Sequence, residues 1–124
     1  MIADTTFVSD LLRERAGRSG RARAFLAAHR REVFRVSIIS AGELAVMFDA
    51  SWQVWSALHR WTIYRLHSGI VEAAADVDRE LMSGGHRLGE NDNWIAGFCR
   101  YYRQPIVSRD ADFDRVRGLR RLEY

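Results

Sequence analysis

Not one lysine occurs among the 124 residues; all 19 basic side chains are arginines, set against 16 carboxylates for a formal net charge of +3. That absence removes several chemistries. A P-loop needs its lysine, phosphoryl capture by a receiver-type or haloacid-dehalogenase-like enzyme needs one too, and Schiff-base catalysis has no amine to start from. Cysteine occurs once, at Cys99. A lone thiol forms no internal disulfide and disfavours a structural zinc site. Cys99 falls on an apolar helical face, which predicts a buried, reduced thiol in a cytoplasmic protein. Proline also occurs once, at Pro105, so long structureless linkers are not expected. No apolar run approaches the length of a membrane span, and the first residues carry neither the basic nor the apolar region of a signal peptide. The expectation is a cytoplasmic chain without a membrane partner.

What is present fits one packed domain over residues 1–124. A hydrophobic fraction of 48% and four tryptophans supply a core without disulfides. The planar arginine fork suits phosphate, so a polyanionic partner agrees with the charge. Arg13, Arg15, Arg18, Arg21, Arg23 and Arg30 form the densest basic stretch. They are the candidate nucleic-acid contact, although such faces are commonly just solvated.

Along the chain, apolar β-branched segments alternate with helical periodicity. Met1–Ala3 reads as a short strand ending at Asp4, followed by a helix through Phe7, Val8, Leu11 and Leu12. A second helix runs through Phe25, Leu26 and Ala28. Val33–Ile39 reads as a buried strand, and Ser40-Ala41-Gly42-Glu43 opens the next helix as a capping box. Ser51–Arg60 continues helically, and Trp61–Leu66 is a third strand. Ile70, Ala74, Val77 and Leu81 mark a helix ended by Gly84-Gly85. Asp92 then sits at the start of a helix whose apolar face is Trp94, Ile95, Phe98, Cys99 and Tyr102. Gln104–Ser108 is a short strand, and Leu119–Tyr124 an edge strand. This alternation predicts an α/β fold with a mainly parallel central sheet of four to five strands.

In open parallel sheets the working crevice lies at the carboxyl ends of the strands. Asp4 and Asp110 follow strands there, while Glu43 and Asp92 begin helices. Four carboxylates can therefore converge at one end of the sheet. Clustered anions repel unless a cation neutralises them. An oxygen-only donor set selects a hard ion, Mg²⁺ with Mn²⁺ as substitute, and such an ion orients phosphate and activates water for in-line displacement. His29, His59, His67 and His86 share no spacing, and neither HxxxH nor HExxH occurs. His86, close to the loop before Asp92, is the one histidine of interest.

The motifs taken together resemble the PIN-domain family, and within it the VapC-type toxin ribonucleases. Ile2-Ala3-Asp4-Thr5-Thr6 resembles the family's opening hydrophobic-Asp-Thr-Ser/Asn. Ser40-Ala41-Gly42-Glu43-Leu44 is similar to its Thr/Ser-x-x-Glu-Leu, and Gly89–Ala96 resembles the stretch around its third acid. Ile106–Phe113 looks like its hydrophobic-Val-Thr-x-Asp/Asn-x-x-Phe. Ser40 and Ser108 stand where threonine is usual, Asn93 where leucine is, and Gly97 where alanine is common; no carboxylate is lost. The resemblance implies a PIN-like three-layer α/β/α sandwich. It implies that Asp4, Glu43 and Asp92, with Asp110 at a fourth position, hold Mg²⁺ and carry catalysis. It implies endonucleolytic cleavage of structured RNA such as tRNA or rRNA, a homodimer, and a cognate antitoxin covering the acidic pocket.

Each residue also has a plainer reading. Asp92 is placed to cap its helix, and the capping box would turn Glu43 back onto its own backbone. Asp4 has the weakest such alternative, because a carboxylate ending a buried strand is costly without a partner. Asp112 and Asp114 read as solvated or capping residues. Trp52, Trp55 and Trp61 are expected in the core or a dimer seam in preference to stacking on bases. Two other functions share the pattern: a housekeeping PIN nuclease of RNA processing or decay, and a non-catalytic RNA- or protein-binding module.

Overall fold

Five short parallel strands run side by side in the order β3-β2-β1-β4-β5: β1 Ile2–Ala3, β2 Arg35–Ser37, β3 Thr62–Tyr64, β4 Ile106–Val107 and β5 Arg121–Leu122. This is the architecture of a computed structural model, which describes residues 1–14 and 20–124. The expected parallel α/β fold is present, with every strand pair parallel. Because the chain lays β2 and β3 on one side of β1 and then β4 and β5 on the other, the strand order reverses between β1 and β4. That switch point is where helices diverge and leave a crevice at the carboxyl ends.

Strand periodicity divides the core between two faces. Ile2 and Ile106 point to one side, where they meet Ile70, Val77 and Leu81 of α5 (Ser68–Ser83) and Ile95, Phe98 and Cys99 of α6 (Glu90–Tyr102). Ala3, Val36 and Val107 point to the other. There they meet α1 (Thr5–Arg13), α2 (Arg21–Ala28), α3 (Ile38–Ala45) and α4 (Gln53–Ala57), through Phe7, Ala22, Leu44 and Val54. Phe7 is fully buried, with Phe25, Phe34 and Tyr124 at ring-centroid distances of 5.7, 5.9 and 4.8 Å. Burying a side chain of this size stabilises by about 1.5–3 kcal/mol. The three layers are thus helices, sheet, helices.

Helix α6 is buried more completely than its apolar face predicts: Ile95 to Cys99 are all inaccessible. The sheet covers one side and α5 the other. Gly97 permits this, since a Cβ there would lie 2.7 Å from the Cβ of Ala74.

Three expectations are corrected. The strand expected over Val33–Ile39 is only Arg35–Ser37, and the helix begins at Ile38. Ser37, not Ser40, caps it, its hydroxyl accepting the N–H of Ser40 at 3.0 Å. β-Branching at Ile38 and Ile39 suits a strand, but both side chains pack against the core from the helix, and tertiary burial outweighs a small propensity difference. Glu43 consequently lies beyond the first turn and takes no part in a capping box. Of the core and dimer-seam alternatives for Trp52 and Trp55, the core is excluded: they are 65% and 50% exposed. Of these three tryptophans Trp61 alone is half-buried, in an edge-to-face arrangement with Phe34 at a centroid distance of 6.3 Å. Finally, the helical segment expected over Ser51–Arg60 is confined to Gln53–Ala57.

No helix among the described residues is long and apolar enough to cross a membrane. Arg13, Arg21, Arg23 and Arg30 are exposed on or beside α1 and α2, while Arg15 and Arg18 of the same basic stretch lie outside the described residues.

Candidate active site

Asp4 occupies the switch point. It leaves the centre of the sheet directly after β1, its own N–H still bonded to the Val107 carbonyl at 3.1 Å. Its side chain caps α1, Oδ1 accepting from the N–H of Phe7 at 2.6 Å, and Oδ2 accepts from the hydroxyl of Ser108. Only 4% of Asp4 is exposed. Burial pushes its carboxyl up to about 6, against the pull of the Ser108 and Phe7 hydrogen bonds and with the push of Asp92 and Asp110.

Asp92 lies in the first turn of α6, half-buried. Burial raises its carboxyl, and the charges of Asp110, Glu43 and Asp112 raise it further. Asp92 makes no capping bond, and Gly89, which precedes the helix, has no side chain to make one. Glu43 projects from α3, its Oε1 accepting the hydroxyl of Thr5 at 2.6 Å. Asp110 caps the 3₁₀ helix Ala111–Arg115 by accepting from the N–H of Asp112 at 2.9 Å. Its own N–H donates to Ser108 Oγ at 3.0 Å.

Asp4, Glu43, Asp92 and Asp110 therefore reach one end of the sheet and feel one another's charge, from positions 4 to 110 of the sequence. Asp112 adds to the same field. Asp114 does not: its carboxylate is held by the fork of Arg121 at 2.9 Å on both oxygens, and that guanidinium also donates to the Ser108 carbonyl at 3.2 Å. His86 is exposed in the turn after α5, and His67 caps α5 through the N–H of Gly69.

Ser108 and Thr5 are the contributors that residue-type reasoning passed over. Both are hydroxyls whose role lies in the partner, a carboxylate distant in sequence. The signal was their place inside two of the four acidic motifs.

Protein donors hold three of the acids apart. Among the described residues no three carboxylate, imidazole or thiolate groups lie close enough to share one bare ion. Their chemistry still suits a hard cation: all donors are oxygens, the like charges need neutralising, and Mg²⁺ keeps several of its waters when bound through one or two carboxylates. A hydrated Mg²⁺ or Mn²⁺ fits this set better than zinc, for which Cys99 offers nothing. That thiol is buried about two helical turns beyond Asp92 along α6, and burial raises its pKa, which keeps it protonated.

The same fold is found in VapBC2 from Rickettsia felis, a structure bound to a promoter DNA fragment. Its TM-score is 0.79 at 17% identity, over 99% of this chain and 97% of that one. VapBC-1 from nontypeable Haemophilus influenzae has a TM-score of 0.77 at 20% identity, over 98% and 96%. A toxin–antitoxin complex from Klebsiella pneumoniae has a TM-score of 0.72 at 20% identity, over 95% and 93%. At these identities the likeness is one of fold. Among curated proteins, none matches the sequence. The sequence pattern of the PIN domain matches residues 1–119, nearly the whole length, and the chain belongs to the PIN-domain family.

Proposed function

We propose that this PIN domain is the toxin of a toxin–antitoxin pair, a Mg²⁺-dependent endoribonuclease that hydrolyses phosphodiester bonds in structured RNA such as tRNA or rRNA. The observation that carries the reading is the gathering of Asp4, Glu43, Asp92 and Asp110 at the switch point of the sheet. PIN domains are generally nucleases. The structures of like fold include complexes described as toxin–antitoxin pairs, which supports the toxin assignment over a housekeeping nuclease.

In this reading the four acids line the pocket that would hold the hydrated ion, with Mn²⁺ as substitute. Bound there, it supplies the positive charge that draws a phosphate into an acidic pocket and activates the attacking water. The chain's own contribution is positioning. Ser108 fixes one oxygen of Asp4 and the backbone of Asp110, and Thr5 fixes one oxygen of Glu43. Outer partners of this kind orient ligating carboxylates. A cognate antitoxin would silence the enzyme by covering the pocket. Exposed Trp52 and Trp55, which line one surface hollow with Ile38 and Ala45, are the candidate homodimer seam, since contiguous exposed apolar surface marks interaction sites.

Cleavage of total cellular RNA by the purified chain tests the proposal. Discrete fragments that require Mg²⁺ or Mn²⁺, and that vanish with a chelator or in Asp92→Asn, are the expected result. A folded, antitoxin-free chain that cuts no RNA with either metal would overturn it in favour of a binding module.

A further inference from the structure

A groove of about 450 Å³ opens at the opposite end of the sheet from the carboxylates. Gln104 and Pro105 lead into β4 and Leu119 and Arg120 into β5, so it lies at the amino ends of these two strands, on the edge-strand side. Cys99 and Val116 form a buried floor, and Arg100, Arg103, Arg117 and Arg120 form the rim. Arg100 is engaged, its fork on Glu80 at 2.9 Å to each oxygen and on the Arg117 carbonyl at 3.1 Å. The other three are exposed, and among the described residues no carboxylate lies within ion-pair distance of them.

The backbone adds a second observation. Arg103 closes α6 with φ 52°, the only positive φ at a non-glycine residue among those described. Glycine is the usual occupant of this left-handed position, and a larger residue kept there carries backbone strain. The fold would be served as well or better by glycine, so the guanidinium at the rim needs another reason.

We infer that this groove is a second RNA-binding site, one that grips the phosphate backbone of the substrate away from the point of cleavage. The inference rests on the ribonuclease reading above. A pocket crowded with carboxylates repels a polyanion, so affinity for RNA must come from cations elsewhere on the surface. No aromatic ring lines the groove, which leaves bases without a stacking platform. Guanidinium forks match phosphate oxygens in pairs. β1 and β4 are two residues long, which sets the two ends of the sheet roughly 7 Å apart along the strands. A folded RNA with its scissile bond at the carboxylates can therefore reach the amino-end groove along the same edge.

The test is binding of fluorescein-labelled tRNA to the non-cleaving Asp92→Asn chain over a salt series, with and without Arg103→Gly, Arg117→Gln and Arg120→Gln together. The triple variant is expected to bind at least about tenfold more weakly, with the slope of log K against log salt shallower by roughly two to three. Arg103→Gly alone should weaken binding while leaving Tm unchanged or raised, which separates lost contact from lost fold. Unchanged affinity and slope in the triple variant would overturn the inference. So would losses confined to a DNA duplex of similar length, which would assign the groove to DNA. In the otherwise wild-type chain the triple substitution should raise KM for tRNA and leave kcat on a six-nucleotide RNA unchanged. If the wild-type chain cuts no RNA at all, the nuclease reading fails, and the binding comparison still decides the groove.

Discussion

The hydroxyl of Ser108 donates to Oδ2 of Asp4 across 104 positions of sequence, and Ser108 Oγ itself accepts the N–H of Asp110 at 3.0 Å. One small side chain thus ties the end of β1 to the end of β4 and sets two of the four acids relative to each other. Ser108→Ala leaves a buried carboxylate short of a donor and an N–H without its acceptor. The expected cost is about 1–3 kcal/mol in urea unfolding, with cleavage reduced as well. Ser108→Thr, which keeps the hydroxyl, should restore both. A fully stable, fully active alanine variant would show that the contact positions nothing.

Asp4 makes the metal-free protein sensitive to pH in a definite direction. Its carboxyl titrates near 6 in the fold and near 3.8 when free, so between these values the folded state holds a proton that the unfolded chain has released. Stability is therefore fullest below about pH 4 and falls as the pH rises through 6, by on the order of 3 kcal/mol from this group. Asp4→Asn should abolish most of that fall and be the more stable protein at pH 8. Urea midpoints at pH 4.5 and 8, with a chelator present, decide it; parallel losses in both proteins would refute the assignment.

The 2.6 Å contact from Thr5 to Glu43 orients the one acid that α3 contributes. Thr5→Val keeps the shape and removes the donor. Folding should change by no more than about 1 kcal/mol, whereas the Mg²⁺ concentration for half-maximal cleavage should rise roughly 10-fold or more. Thr5→Ser should recover the wild-type titration. If the valine variant titrates like wild type, Thr5 has no part in holding the metal site.

Gly97→Ala tests the close approach of α5 and α6. The added methyl would meet Ala74 at 2.7 Å from its Cβ and 2.9 Å from its Cα, so the helices must separate. Overpacking of this kind costs about 1–3 kcal/mol, read as a lower Tm. Because α6 carries Asp92 in its first turn, activity should fall further than stability alone explains. An unchanged Tm would mean that the helices yield without cost.

Much of this was legible from residue order. The alternation of strand and helix, the burial of Cys99 and the placement of Asp4 and Asp92 follow from local pattern, because period and punctuation are local properties. Ile38 and Ile39 misled for the same reason: their β-branched character reads as strand, and only burial from the helix side makes Ser37 the cap. The exposure of Trp52 and Trp55 was also hidden, since composition does not say which apolar residues a fold leaves uncovered. Hydroxyl-to-carboxylate pairs such as Thr5–Glu43 join residues that only the sheet brings together. Their distances were beyond any one-dimensional reading.

The strand order carries a consequence for how the pocket is born. β1 is the first strand of the chain and lies at the centre of the sheet, yet its neighbour β4 and the hydroxyl that fastens Asp4 arrive about a hundred residues later. Contacts that close loops of this length form late in folding. Until Ser108 docks, Asp4 and Asp110 are carboxylates on unrelated pieces of chain. A half-made copy therefore has no acidic pocket, and under the nuclease reading cleavage is withheld until Ser108 is in place.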